Sequence, residues 1–347
     1  MRKTGPIVLA ALAALLLALP AAAADLLLNG AGATFPYPLY SKWFYEYSNS
    51  HPGVKFNYQS IGSGGGIKQV TARTVDFGAT DAPMTDEELK GAPGKILHFP
   101  MTIGAVSVVY NLEGVKDDLK LDPATLSGIF LGTITKWNDP RIVALNKDAK
   151  LPDLEIVVAH RSDGSGTTDI FTSYLAAVSP DFKAKVGRGK AVKWPVGLGG
   201  KGNEGVAGTV KQTPGAVGYV ELAYAKQNRM KDAMLKNREG RFVSPSIEST
   251  TEAAAGVAKS MPADFRTSLV DAPGKGSYPI SGLTWILVYA DQKDAAKGKA
   301  LVQFLKWAVK DGQRMTTPLL YSPLPKAVAE KVDQALRQVK AGGKEIY

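Results

Sequence analysis

The sequence predicts an α/β protein of two domains, and three observations carry that expectation. Short β-branched runs alternate with amphipathic stretches along the chain, the pattern of helices layered on a sheet. The chain has 347 residues, beyond the size at which one hydrophobic core goes on growing. Apolar residues make up 45% and charged residues 21%, the values of a folded globular protein rather than a disordered one.

The elements follow in chain order. Leu39–Ser48 is amphipathic with helical spacing, and the β-branched and aromatic run Val54–Gln59 reads as a strand. Ile67–Thr74 reads as a helix and Asp76–Ala79 as a short strand. Thr85-x-x-Glu88 is a capping box, so a helix is expected over Thr85–Leu89. Ile96–Phe99 and Ala105–Asn111 read as two strands, followed by a helix over Pro123–Phe130. Then come the strand Glu155–His160, the helices Thr167–Ala177 and Glu204–Gln212, and the strand Ala216–Glu221. The strand Leu283–Tyr289 and the helix Ala295–Val309 complete the series. Lys226 to Ser260 is polar and irregular, and no element is assigned there.

The composition narrows the function. With no cysteine there is no disulfide, thiolate nucleophile, Cys-based zinc site or lipidated N-terminal Cys. Residues 1–24 read as an export signal: Arg2 and Lys3, an apolar run Ile7–Leu19, the breaker Pro20, then Ala21–Ala24 as a cleavage site. The run is shorter than the roughly 20 residues of a spanning helix. The mature chain is expected to start near Asp25, and losing Arg2 and Lys3 lowers the formal charge from +10 to +8. A soluble periplasmic protein without a lipid anchor is the expectation.

Three strand ends run at once into Gly, Ser or Thr and then into a helix. They are Asn29–Pro36, Gln59–Gly66 and Arg161–Thr167. The first N–H groups of a helix lack intrahelical partners, and the helix dipole favours negative charge there. Any one of these segments could be a plain N-cap. Three converging would make an anion site of neutral donors, at the strand ends where open α/β sheets bind ligands.

At these segments the sequence closely resembles the PstS family, the periplasmic phosphate-binding proteins of ABC-type phosphate importers. The matching runs are Gly30–Pro36, Tyr58–Gly66, Val75–Pro83, Arg161–Thr167, Lys193–Asn203 and Pro214–Glu221, in the family's order. The resemblance implies a type II periplasmic binding protein fold of two α/β lobes joined by a hinge, with the ligand cleft between them. Lobe one would be residues 25–103 plus 282–347 and lobe two residues 104–281. The crossings would lie near Pro100–Gly104 and Pro279–Leu283.

The resemblance also implies the phosphate contacts. Thr34 would donate its hydroxyl and Phe35 its amide, and Ser63 both. Ser165, Gly166 and Thr167 would donate hydroxyls and amides. Arg161 would be the one cationic contact, with Asp163 holding its guanidinium, and Asp81 would accept a hydrogen bond from the phosphate itself. Gly64 stands where some relatives have a second Ser, and no loss of the site is expected. The implied partners are a membrane permease and its cytoplasmic ATPase, with the protein a monomer that needs no cofactor or metal and performs no catalysis.

These residue types suit phosphate. An ionised Asp81 is acceptor-only and can take the P–O–H proton in a charge-assisted bond. Sulfate has no such proton, so against it Asp81 is a buried repulsive charge. The Arg161 fork matches two anion oxygens. A receptor for sulfate or molybdate is the alternative within this class, and Asp81 argues against both. A secreted phosphatase is the alternative from another class, and it needs a nucleophile or metals that the sequence does not display.

Other motifs fall away. Gly197-x-Gly199-x-x-Gly202 follows Trp194-Pro195 rather than a buried strand, and Lys201 is followed by Gly202, so no Walker A is present. Ser165 lies in Asp-Gly-Ser-Gly, not in a nucleophile elbow. His51, His98 and His160 lack ligand spacing. The aromatics Phe35, Tyr37, Tyr40, Trp43, Phe44, Tyr45 and Tyr47 have the spacing of core packing. The lysines are dispersed, so no nucleic-acid partner is expected.

Overall fold

Nine strands form one long mixed sheet. The computed structural model describes residues 25–115, 118–256 and 260–347, so the expected export signal lies outside the described residues. The strands are β1 (Leu26–Gly32), β2 (Val54–Ser60), β3 (Phe77–Thr80), β4 (Ile96–Tyr110), β5 (Val157–Arg161), β6 (Leu198–Gly200), β7 (Ala216–Glu221), β8 (Lys231–Asp232) and β9 (Ser281–Tyr289). Their order is β2-β1-β3-β9-β4-β7-β5-β6, with β8 also paired to β4. The ladders β1–β2, β1–β3, β5–β6 and β5–β7 are parallel, and those of β4 and β9 are antiparallel.

β4 organises the molecule. Its first part, Ile96–Ala105, pairs with β9, and its second part, Val106–Tyr110, pairs with β7. All fifteen of its residues are buried. Ile96–Phe99 and Ala105–Asn111 are therefore one strand rather than the two expected. Pro100, in the gap between the two expected strands, sits opposite Trp285 where the ladder slips register between Thr284 and Trp285, and such a bulge absorbs its missing N–H.

β1 lies between β2 and β3, continues through Gly30 and Gly32, and is absent from the strands assigned from the sequence. The smallness of these glycines is needed for packing. A Cβ on Gly30 would lie 2.1 Å from the Phe77 ring, and one on Gly32 would lie 2.0 Å from the Ala79 carbonyl oxygen.

The helices that matter to the site start at strand ends. They are α1 (Tyr37–Ser50), α2 (Ser63–Thr71), α3 (Gly166–Val178), α4 (Gly202–Gln212), α5 (Leu222–Gln227) and α6 (Ala295–Val309). α1 buries Tyr40, Trp43, Phe44 and Tyr47 at helical spacing, while Tyr37 and Tyr45 are 40% and 63% exposed and stand outside the core. Phe44, Phe56 and Phe304 of α6 pack ring against ring over β2.

The unassigned stretch after Lys226 holds elements too short for periodicity to show. Met234–Lys236 forms a small sheet with Phe242–Val243 and Lys120–Leu121, and a helix follows over Ile247–Ala255. Among the described residues no helix is long and apolar enough to cross a membrane.

Candidate functional site

Four strand–loop junctions meet at the middle of the sheet. Thr34 and Phe35 follow β1, Ser63 opens α2 after β2, and Asp81 follows β3. On the facing side, Arg161 ends β5, and Ser165 to Thr167 form the start of α3. All of these side chains are buried.

The two sides approach through glycine. The Gly64 N–H donates to the Gly164 carbonyl at 2.8 Å, so Gly64 contributes its backbone there. A Cβ on Gly166 would lie 2.5 Å from Ser63 Oγ and 2.7 Å from Asp81 Cβ. One on Gly62, which has φ +87, would lie 2.2 Å from Asp163 Oδ2.

Arg161 is 4% exposed, and a charge buried to that degree must be paired. Its Nε donates to Asp163 Oδ1 at 2.7 Å and its Nη2 to Oδ2 at 2.6 Å, a fork-to-carboxylate pair. Its Nη1 donates to Thr167 Oγ1 at 3.3 Å. Burial alone would raise the Asp163 carboxyl, but the hydrogen bonds and charge of Arg161 outweigh it and hold the group below its usual range. The Gly202 N–H, 3.1 Å from Oδ1, adds to that.

Asp81 is the opposite case. It is 3% exposed, and burial pushes its carboxyl up to about 7 against the pull of Thr284, Arg161 and Ser63. Thr284 Oγ1 donates to Oδ1 at 2.9 Å, and Ser63 Oγ lies 3.4 Å from Oδ2. Ser63 Oγ in turn accepts the Asp81 N–H at 3.1 Å. The half-buried Asp163 carboxylate is thus locked to a guanidinium, and the buried Asp81 carboxyl keeps acceptor capacity to spare.

The donors are fixed by their surroundings. Ser165 is the N-cap of α3 and accepts the Thr168 N–H at 3.0 Å, which leaves the N–H groups of Gly166 and Thr167 at the open helix end. Two buried tyrosines clamp the segment after β1. Tyr224 Oη donates to the Thr34 carbonyl at 2.6 Å and Tyr321 Oη to the Phe35 carbonyl at 2.7 Å. A trans peptide is planar, so holding the Thr34 C=O sets the direction of the Phe35 N–H.

Sequence reasoning missed Thr284, Asn203, Tyr224 and Tyr321. Asn203 is 0% exposed and hydrogen-bonds to Thr34 and Thr167, one on each side of the site. Its signal was present, because it ends the matching run Lys193–Asn203. Thr284 lies in β9, 203 residues from the carboxylate it touches, and nothing local marks it.

A cavity of about 490 Å³ adjoins Asp81 and is lined by Asp169, Arg188, Lys190 and Arg266 among others. Two of its lining cations are paired: Lys190 Nζ with Glu88 at 2.9 Å and Arg266 Nη1 with Asp86 at 2.8 Å. The three histidines stand apart. His98 accepts the Met84 N–H at 3.1 Å and is pushed down to about 4 by burial, His51 stacks on Tyr47, and His160 stacks on Trp194.

Comparison with known proteins places the chain by family and fold. A family model described as a PBP superfamily domain matches residues 19–311. The phosphate-binding protein PstS of Xylella fastidiosa strain Temecula1 is 47% identical over 307 residues, covering 88% of this chain and 84% of its own. The phosphate-binding protein PstS of Pasteurella multocida strain Pm70 is 47% identical over 323 residues, covering 92% and 93%. Among solved structures, a high affinity periplasmic phosphate-binding protein bound with phosphate at pH 8.5 superposes with a TM-score of 0.69 at 21% identity, covering 89% of this chain and 93% of that one. An ABC-type phosphate transport receptor from Vibrio cholerae superposes with a TM-score of 0.56 at 19% identity, covering 86% and 100%. At those identities the likeness is one of fold.

Proposed function

The chain belongs to the PBP superfamily and, within it, to the PstS phosphate-binding proteins, and on that premise we propose that it binds inorganic phosphate between two lobes and delivers it to an ABC-type importer. The observation that carries the reading is a buried guanidinium and a buried carboxyl, Arg161 and Asp81, set among neutral donors. Arg161, held by Asp163, faces the anion's charge. Asp81 has acceptor capacity left and takes the proton that phosphate keeps at neutral pH. Thr34, Phe35, Ser63, Ser165, Gly166 and Thr167 supply the remaining donors. The protein is a binding protein rather than an enzyme, and no step of chemistry is asked of these residues.

The lobe boundaries fit this reading. Residues 25–103 plus 282–347 would make lobe one and 104–281 lobe two, with β4 and β9 carrying the chain across side by side. Phosphate held by both lobes favours the closed form, since it makes more contacts there than in an open one. The closed protein would dock as a monomer on a membrane permease driven by a cytoplasmic ATPase. Residues 1–24 would direct it to the periplasm.

Calorimetry of ligand-free protein against phosphate, sulfate, arsenate and molybdate tests the reading. Phosphate is expected to bind tightly, arsenate appreciably because it also carries a proton, and sulfate and molybdate weakly. Sulfate binding as tight as phosphate would refute it.

Closure also predicts a steric effect. Gly166→Ala puts a methyl 2.5 Å from Ser63 Oγ across the cleft. Overpacking of this kind costs about 1–3 kcal/mol. Phosphate affinity is expected to fall roughly 10- to 100-fold, while the thermal stability of the unliganded protein barely moves, because the clash exists only when the lobes meet. An equal loss of stability without phosphate would contradict closure.

A further inference from the structure

Asn203 is the one fully buried side-chain amide that touches both sides of the cleft among the described residues. Its orientation follows from hydrogen-bond logic. The Glu221 backbone N–H can only donate, and it lies 2.8 Å from the Asn203 side chain, so the atom facing it is the oxygen Oδ1. The other end is therefore the NH2 group, which can only donate. It donates to Thr34 Oγ1 at 2.7 Å and to Thr167 Oγ1 at 3.2 Å.

Each of those hydroxyls receives a second obligate donor. Thr34 Oγ1 also accepts the backbone N–H of Asn203 at 3.2 Å. Thr167 Oγ1 also accepts Nη1 of Arg161 at 3.3 Å. A hydroxyl has two lone pairs and one hydrogen. With both lone pairs filled, each hydroxyl has only its hydrogen left to place.

We propose that Asn203 commits the hydroxyls of Thr34 and Thr167 to donate into the cleft, and so sets which oxygens of the bound anion must be unprotonated. This deepens the phosphate reading and rests on it. Two positions, one on each side of the site, are thereby closed to a ligand O–H, and Asp81 is left as the carboxyl that can take the anion's proton. Asn203 is a positioning residue: it acts through the two threonines and is not itself assigned a contact with the ligand.

The test is a double-mutant cycle read by calorimetry with inorganic phosphate. In the unsubstituted protein, Asn203→Ala is expected to weaken phosphate binding roughly 10- to 100-fold, as expected for disordered charge-assisted donors. In a Thr34→Val, Thr167→Val background the same change is expected to cost under about threefold, because the hydroxyls it orients are gone. Equal losses in both backgrounds would overturn the proposal, since a merely structural role adds independently.

Asn203→Asp is near-isosteric and carries the test if the alanine variant does not fold. Its carboxylate would accept from both hydroxyls and turn their hydrogens away from the ligand. Binding is expected to fall further than with Ala and to recover as the pH is lowered and the new carboxyl protonates. Binding equal to the parent, or a loss without pH dependence, would overturn the proposal. Failure of the unsubstituted protein to bind phosphate would instead refute the functional reading.

Discussion

Replacing Asp81 with Asn is expected to collapse the preference for phosphate over sulfate. The carboxylate is buried beside Thr284 and Ser63 with acceptor capacity unused. Phosphate can fill it with a P–O–H and sulfate cannot. With its carboxyl at about 7, Asp81 disfavours sulfate about tenfold per pH unit above that, roughly 100-fold at pH 9, and this ratio is expected to vanish in the variant, whose side-chain NH2 donates to either anion. Competition binding reads the ratio, and an unchanged value would remove Asp81 from the role.

The pH dependence gives an independent check. The Asp81 carboxyl sits at about 7, so its protonated, donating form grows scarcer as the pH rises above that. Sulfate affinity of the native protein is expected to rise about tenfold per pH unit as the pH falls from about 9 to 7 and then to level off. The Asp81→Asn variant should show no slope. Stability follows the same linkage. The folded chain holds this proton more tightly than the unfolded chain, so the contribution is complete below the ordinary value of 3.8 and is lost as the pH rises through about 7. Asn is neutral throughout, so the unliganded variant is expected to melt higher than the parent at pH above about 7.

Arg161→Met is expected to abolish tight binding and to destabilise the protein at the same time. It removes the cation from the site and leaves the Asp163 carboxylate, 13% exposed, without its fork partner. Breaking a buried pair from one side costs about 3–5 kcal/mol of stability. Charge-assisted hydrogen bonds contribute about 1.5–3 kcal/mol each, so affinity should drop roughly 10²- to 10⁴-fold. The two losses can be separated. Adding Asp163→Asn should restore much of the melting temperature and none of the affinity. Arg161→Lys should rescue poorly, because an ammonium cannot hold Asp163 through two parallel bonds and face an anion as well. Affinity within threefold of the parent in Arg161→Met would refute the assignment.

Much of the fold was legible where a strand or helix repeats its own signal. Pro123–Phe130, Ala216–Glu221 and Ala295–Val309 fall where periodicity and β-branching place them. β1 was not legible, because glycines needed for the close approach of Phe77 and Ala79 look like loop residues in isolation. The unity of β4 was not legible either, because the bulge that accommodates Pro100 depends on a partner strand far along the chain. The site shows the same division. Ser63, Arg161 and Ser165 stand in segments whose glycines and hydroxyls announce a helix start. Thr284 and Asn203 act through contacts that exist only after the sheet has formed, and Tyr224 and Tyr321 reach the site from elements with no motif at all.

The placement of β9 bears on how the molecule comes to exist. β9 lies in the middle of the sheet, between β3 and β4, yet it is synthesised after nearly everything around it, and Thr284 meets Thr80 across 204 residues. Until those residues are available, β3 and the first part of β4 each keep an open edge, and the early chain cannot close its own core. Long-range pairing of this kind makes folding slow. A nascent chain that cannot finish folding ahead of its last fifth remains threadable, which is the condition a chain must meet to pass through a membrane before it folds.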